Sequence, residues 1–345
     1  MVRAFSKYIA ALLVGACFSA PALADDVADF YKGKVITVVI SSSAGGGYDT
    51  LARTIARHLG DHIPGNPTLI VQNMPGAGGI VATNYLYNIA AKDGTVIGGV
   101  QNNTPFEPLY GTKEAQYDAT KFEWLGSPSV ETGMLTVWKT SPAKTIEDAK
   151  AQTVTVGVTG ANSTPSFYAR LLNAALGTKL DIINGYKGQN EVFLAMERGE
   201  VQGAPSLFYS SLVATRPTWL EDGSVRVLVQ FGTEKEPKLG DAPFANDLVS
   251  DPKTLDLMKV AFAPLAFGRP YLTPPEVPAD RVAALRKGFE DMMKDPSFIS
   301  DAEGLGLQVD SPRNGEQLAD TLKEAYATSP EVVSEIRKLI AGNAE

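Results

Sequence analysis

Two loops of small residues, about 30 positions apart, each join an apolar run to a helix-like stretch. The first, Ser41-Ser42-Ser43-Ala44-Gly45-Gly46-Gly47-Tyr48-Asp49, follows the β-branched run Val35–Ile40; the second, Asn73-Met74-Pro75-Gly76-Ala77-Gly78-Gly79, follows Thr68–Val71. A strand that empties through glycines into a helix leaves N–H groups and the positive end of the helix dipole exposed. That seats an anion without a charged side chain. Gly and Ser also suit plain β–α turns, so one such loop alone decides nothing. The spacing also constrains the fold. Strands 35–40, 68–72 and 95–100 alternate with helices 49–60 and 79–91, the pattern of an open α/β sheet with mostly parallel strands. Both glycine loops, and Gln101-Asn102-Asn103-Thr104, fall at the strand C-termini where such sheets bind ligands.

A second unit of the same kind follows a connecting stretch. Strand 153–158 leads through Thr159-Gly160-Ala161-Asn162-Ser163-Thr164 into helix 165–176, with Pro165 in its first turn. Asp181-Ile182-Ile183, Gly185-Tyr186-Lys187-Gly188, helix 189–198, a short Val201-Gln202-Gly203 strand, helix 206–214 and strand 225–229 complete it, and helices 279–294, 314–326 and 329–341 close the chain. The repetition is architectural, with no tandem period. Two such units face to face form a clamshell with the ligand between them.

The first 24 residues read as an export leader: Arg3 and Lys7, an apolar core Ile9–Gly15, and Ala22-Leu23-Ala24 before Asp25-Asp26. About 12 apolar residues are too few to span a bilayer. The reading is a signal peptide cleaved after Ala24 and a periplasmic product; lipoprotein processing at Cys17 is the alternative. Cleavage at Ala24 removes the only cysteine, so the remaining chain relies on its core alone. Its leader carries two bases and no acid, so the net charge moves from −8 to about −10 on cleavage, which argues against nucleic acid. A local site can still attract an anion against that field.

Other chemistries lack their residues. Gly45-Gly46-Gly47 is neither a spaced dinucleotide fingerprint nor a phosphate loop, and Gln72-Asn73 stand where a ribose-binding acid belongs. His58 and His62, four apart, would need carboxylates to complete a metal site, so no metal is assigned. No Gly-x-Ser-x-Gly elbow occurs, and Ser163, Ser166, Ser206, Ser210 and Ser211 lack an evident base. Asp49 is expected as the N-cap of the first helix. Arg53 and Arg57, one turn apart, either guide an anion or solvate a face.

The order of these motifs resembles the periplasmic solute-binding receptors of tripartite tricarboxylate transporters, the Bug receptors. Gly45-Gly46 with Asp49-Thr50-Leu51-Ala52-Arg53 is similar to that family's Gly-Gly-x-x-Asp-x-x-Ala-Arg. Val71-Gln72-Asn73-Met74-Pro75-Gly76-Ala77-Gly78-Gly79 is similar to its Val-x-Asn-x-Pro-Gly-Ala-Gly-Gly, and Asp93-Gly94-Thr95, Gly157–Ser163 and Tyr186-Lys187-Gly188 fall at its further motifs. The chain departs from the pattern at Ser42-Ser43-Ala44, where proline is common, at Ser166, where histidine is, and at Gln202, where aspartate is. The resemblance implies an α/β, two-lobed type II periplasmic-binding fold with the ligand cleft between lobes. The expected division is lobe 1 at 25–130, completed by 246–345, and lobe 2 at 131–245. It implies a receptor, with no enzymatic activity and no cofactor, that grips a small carboxylate through N–H groups, hydroxyls and bridging water. It then closes and, as a monomer, hands the ligand to membrane transporter subunits. The expected contacts are Ser42, Ser43, Gly46, Tyr48, Gly76, Gly78, Asn102, Thr104, Ser163 and Thr164, with Ser166, Tyr186 and Gln202 setting specificity. Several charge-assisted N–H contacts of about 1.5–3 kcal/mol each reach micromolar affinity without an arginine. An exported hydrolase and a receptor for a sensor kinase are the rival readings.

Overall fold

The computed structural model describes residues 23–161 and 163–342. Most of the expected leader, with Cys17, lies outside the described residues. In chain order the first part comprises α1 (Leu23–Tyr31), β1 (Val35–Ile40), α2 (Gly47–His58), β2 (Thr68–Asn73), α3 (Ile80–Asn88), β3 (Val96–Gly99), α4 (Glu107–Tyr110) and β4 (Glu123–Ser127). The next part holds β5 (Gly133–Trp138), α5 (Ile146–Ala151), β6 (Val154–Gly157), α6 (Thr164–Leu176), β7 (Leu180–Ile183), α7 (Gln189–Arg198), β8 (Gly203–Phe208), α8 (Tyr209–Thr215) and β9 (Val225–Phe231). The last runs through α9 (Pro252–Phe267), β10 (Tyr271–Thr273), α10 (Ala279–Met292), α11 (Pro296–Gly304), β11 (Arg313–Asn314), α12 (Gly315–Tyr326) and α13 (Pro330–Ala341).

Two sheets carry the molecule, one in the order β11-β4-β10-β3-β1-β2 and one in the order β7-β6-β8-β5-β9. β1 lies between β2 and β3, parallel to both, with Ile40 opposite Asn73 and Gly99. The three strands therefore end level and their loops emerge along one edge. Val38, Val39 and Ile40 are all buried, so the strand is covered on both faces at its C-terminal end.

The sheets are mixed, which corrects the expectation of mostly parallel strands. β10 runs antiparallel to β3 and β4, β11 to β4, and β5 to β8 and β9. The reason lies in how the chain passes between sheets. β5 starts at Gly133 opposite Phe208, the last residue of β8, and β10 starts at Tyr271 opposite Gly99, the last residue of β3. Each passage thus enters its new sheet from the loop edge and must run backwards.

The expected helix 206–214 starts later, at Tyr209, because β8 takes Gly203–Phe208 into the sheet interior. Pro205 and Ser206 look like turn residues, but pairing on both sides overrides that preference. Pro205 sits at a register shift between Met134 and Thr136, where a missing N–H is tolerated.

The helix α9 joins the two cores. Met258, Ala261 and Leu265 pack with Leu135 and Val156 of the second sheet and Tyr168 of α6, while Ala263 and Phe267 pack with Val100 and Trp124 of the first part. Phe262 stacks on Phe231 with centroids 5.1 Å apart, and Phe267 meets Trp124 edge-on at 5.1 Å. Among the described residues no helix is long and apolar enough to cross a membrane.

Candidate functional site

The first glycine loop is built around Asp49. The N-cap of α2 is Gly46, which has no side chain to offer, so the first N–H groups of the helix carry no side-chain cap. Asp49 was expected at the N-cap; it sits inside the first turn instead. Its carboxylate accepts from Gly45 N at 2.8 Å, Arg53 Nε at 3.0 Å and Asn73 Nδ2 at 2.9 Å. The bonds from Arg53, Gly45 and Asn73 outweigh burial and hold the carboxyl at about 2. Asn73 Nδ2 also donates to Ser42 O at 3.0 Å, and Arg53 reaches Asn73 Oδ1 at 3.2 Å. One buried carboxylate therefore braces both glycine loops, and Arg53 is spent on this frame.

Behind the loop, Ser41 and Ser42 hold buried hydroxyl oxygens without a protein partner. In the second loop Gly76, Ala77, Gly78 and Gly79 all have positive φ. A side chain on Gly79 would press on Gln101 and Thr104, so this loop and the third pack directly. Thr104 is fully buried; its hydroxyl donates to Gln101 O at 2.8 Å and its carbonyl accepts from Tyr117 at 2.6 Å. Tyr48 joins the first loop to the third: its hydroxyl accepts from Asn102 N at 3.3 Å and donates to Gly268 O at 3.2 Å. Burial pushes this hydroxyl up to about 12, so it keeps its proton. Ser42, Ser43, Gly46, Tyr48, Gly76, Gly78, Asn102 and Thr104 thus all lie on the three loops of one sheet edge.

The second-lobe residues are placed differently. Ser163 caps α6, accepting from Ser166 N at 3.4 Å, and donates to Gly160 O at 2.7 Å. Ser166 also donates to Gly160 O at 2.5 Å, so both hydroxyls close their own loop. Thr164 is exposed in the first turn of α6, and Tyr186 stands half-buried against Gly157. Gln202 is held in the second sheet, its Oε1 accepting from Thr155 N at 3.0 Å.

Between the two sheets lies a cleft of about 560 Å³. Gly47, Thr50 and Arg269 line it on one side, with the segment 305–308; Gly188, Gln189, Asn190 and Ser211 line it on the other. None of the expected contacts is among the residues that line it, although Gly46, Tyr48 and Tyr186 are chain neighbours of Gly47 and Lys187, which do. The start of α7 has no side-chain cap on its N-cap Gly188, although Glu191 takes the Lys187 N–H at 2.8 Å. Sequence reading passed over Arg269 and Glu131, which sit in stretches it treated as connections, and named Gly188 only within the Tyr186-Lys187-Gly188 turn. Glu131 is buried on the first passage between sheets, accepting from Ser210 Oγ at 2.7 and 2.8 Å. Burial raises its carboxyl above the usual range, although Arg269 and the Ser210 bond pull the other way.

The two histidines pair with α11: His58 Nε2 lies 3.0 Å from Asp301 and His62 Nε2 lies 3.0 Å from Asp295. Among the described residues no group of three metal-ligating side chains assembles.

Comparison with known proteins bears on the fold and the family. The family profile described as "Tripartite tricarboxylate transporter family receptor" matches residues 51–337. A Cupriavidus necator protein, "UPF0065 protein in gbd 5'region", is 26% identical over 313 residues, covering 87% of this chain and 88% of its own. Among solved structures, a TctC solute-binding protein from Polaromonas without ligand superposes with a TM-score of 0.70 at 18% identity, over 90% of this chain and 99% of that one. MatC of Rhodopseudomonas palustris with bound malate superposes at 0.60 and 20% identity, over 89% and 99%. A second Rhodopseudomonas palustris protein, solved with adipate, superposes at 0.60 and 19%, over 88% and 97%. The α/β, two-lobed architecture is thus that of periplasmic binding proteins. The chain belongs to the tripartite tricarboxylate transporter receptor family, whose members bind solutes rather than transform them.

Proposed function

We propose that this protein is exported, loses its leader after Ala24, and works in the periplasm as a receptor for a small carboxylate that it delivers to membrane transporter subunits. The observation that carries the reading is the uncapped start of α2 at the cleft between the sheets, in a loop braced by Asp49. Such a helix start offers several N–H groups and a positive dipole end to an oxyanion. The buried, unpartnered hydroxyls of Ser41 and Ser42 add donors at the same strand end. Relatives of the same fold were solved with malate and with adipate, which makes a dicarboxylate the first ligand class to test.

In this reading lobe 1 (25–130 with 246–345) holds the ligand through Ser42, Ser43, Gly46, Tyr48, Gly76, Gly78 and Asn102, with the buried Thr104 supporting the third loop from behind. Lobe 2 (131–245) closes over it, bringing Ser163 and Thr164, with Ser166, Tyr186 and Gln202 shaping the far side. Native mass spectrometry of the protein purified from the periplasm tests both halves. The expected spectrum shows a chain starting at Asp25 and carrying a small acid released on denaturation. A chain lipidated at Cys17, or an acid-free protein that takes up no carboxylate from a panel of mono-, di- and tricarboxylates, contradicts the corresponding half.

A further inference from the structure

The fully charged side chain lining the cleft from the first sheet's side is Arg269, and its position is fixed from the backbone outward. It follows Gly268, whose φ is +50° and where any Cβ would collide with the Ser129 carbonyl. The N–H of Arg269 donates to Ser127 Oγ at 3.0 Å, and that hydroxyl donates to Ser129 O at 2.8 Å. The two passages between sheets are therefore packed against each other, and Arg269 projects from the point where they meet.

Its guanidinium lies over the Tyr48 ring, 5.6 Å from the centroid, and 3.3 Å from where a Cβ on Gly47 would stand. Gly47 is the first residue of α2, so a full positive charge rests against the positive end of a helix whose N–H groups carry no side-chain cap. The Asp49 carboxylate in the first turn of α2 offsets part of this like-signed contact but is held by Gly45, Arg53 and Asn73. Among the described residues the guanidinium makes no hydrogen bond and no ion pair within 4.0 Å. Glu131 is close enough for the two charges to interact, but its carboxylate is taken by Ser210 and leaves the forked N–H donors of Arg269 open. A planar fork beside a row of backbone N–H groups matches a carboxylate, which accepts two parallel bonds from arginine.

We propose that Arg269 is a ligand-contacting, specificity-setting residue: it takes a carboxylate of the ligand side-on at the start of α2, within the cleft. The inference rests on the carboxylate-receptor reading above and adds to it a charged anchor. It also makes the site selective, because an uncharged analogue would leave the open N–H fork of the guanidinium without a charged acceptor.

The test is calorimetric titration of the mature protein and of Arg269→Gln, Arg269→Lys and Gly47→Ala with succinate, malate, adipate and sulfate. Arg269→Gln is expected to weaken the best carboxylate by roughly 10- to 100-fold, and Arg269→Lys to recover part of the loss, since a point charge lacks the fork. Gly47→Ala favours helix formation yet crowds the guanidinium, so it is expected to keep the melting temperature and lose several-fold in affinity. It keeps the proposal testable if Arg269→Gln does not fold. Carboxylate binding by Arg269→Gln or by Gly47→Ala within about twofold of the unsubstituted protein overturns the role of Arg269 while the receptor reading stands. Sulfate binding that depends on Arg269, with no carboxylate bound, supports the anchor and overturns the carboxylate reading. Binding of neither class by the unsubstituted protein overturns both.

Discussion

Asp49 and Glu131 are both buried carboxylates near the cleft, and their surroundings push them in opposite directions. Asp49 collects three donors and is held at about 2. Its stabilising effect is complete above the unfolded value of 3.8 and is lost as the pH falls through about 2. Asp49→Asn should therefore cost about 1–3 kcal/mol near neutrality, and the gap in melting temperature from the unsubstituted protein should close between pH 4 and pH 2. A gap independent of pH would mean the carboxylate charge is not what braces the loops. Glu131 is raised by burial, so the sign reverses: its charged form destabilises the fold, increasingly as the pH rises from the ordinary carboxylate value through its own. Glu131→Gln keeps an acceptor for Ser210 and should raise the melting temperature at pH 7, with the gain fading toward pH 4. Thermal unfolding across that range reads both signs in one series. Little of this was visible in the chain alone: the Asp49 spacing suggested a cap, and nothing near Glu131 marks it as buried.

At the scale of elements, legibility followed local periodicity. α7 at Gln189–Arg198 and the strands β1 and β2 stand where apolar spacing and glycine punctuation put them. β5 and α9 were not found. β5 is flanked by Ser127-Pro128-Ser129 and Thr140-Ser141-Pro142 yet was passed over as connection, and the second half of α9 is continuously apolar because it touches both cores, so its helical period is masked. The cleft inherits this asymmetry. Its glycine-loop side was legible because a strand–loop–helix unit is local, whereas Arg269 reaches the cleft only because distant passages pack together. Gly268 enforces that packing. Gly268→Ala should destabilise by at least about 2 kcal/mol, since both its φ of +50° and the Ser129 carbonyl oppose a side chain. Gly188→Ala, where nothing lies within 4 Å of the new Cβ, should stay within about 0.5 kcal/mol. Chemical denaturation of the pair checks this; equal effects would mean that the contact between passages carries no load.

For the whole molecule, the crossings and α9 decide how the parts can move. Both passages enter their sheets at the loop edge, and the second meets Tyr48 and Ser127 at Gly268-Arg269. A ligand seated there touches the first lobe's helix start and lies next to the passages themselves. On the proposal above, an anion at the start of α2 would take the open N–H donors of Arg269 and offer its far side to the second lobe. The most direct measurement is calorimetric titration of the mature protein with a panel of mono-, di- and tricarboxylates at two salt concentrations. The account calls for a dissociation constant of about micromolar order for at least one carboxylate, enthalpically favourable and weakened by salt. No heat of binding from any carboxylate, with a neutral solute binding instead, would contradict it.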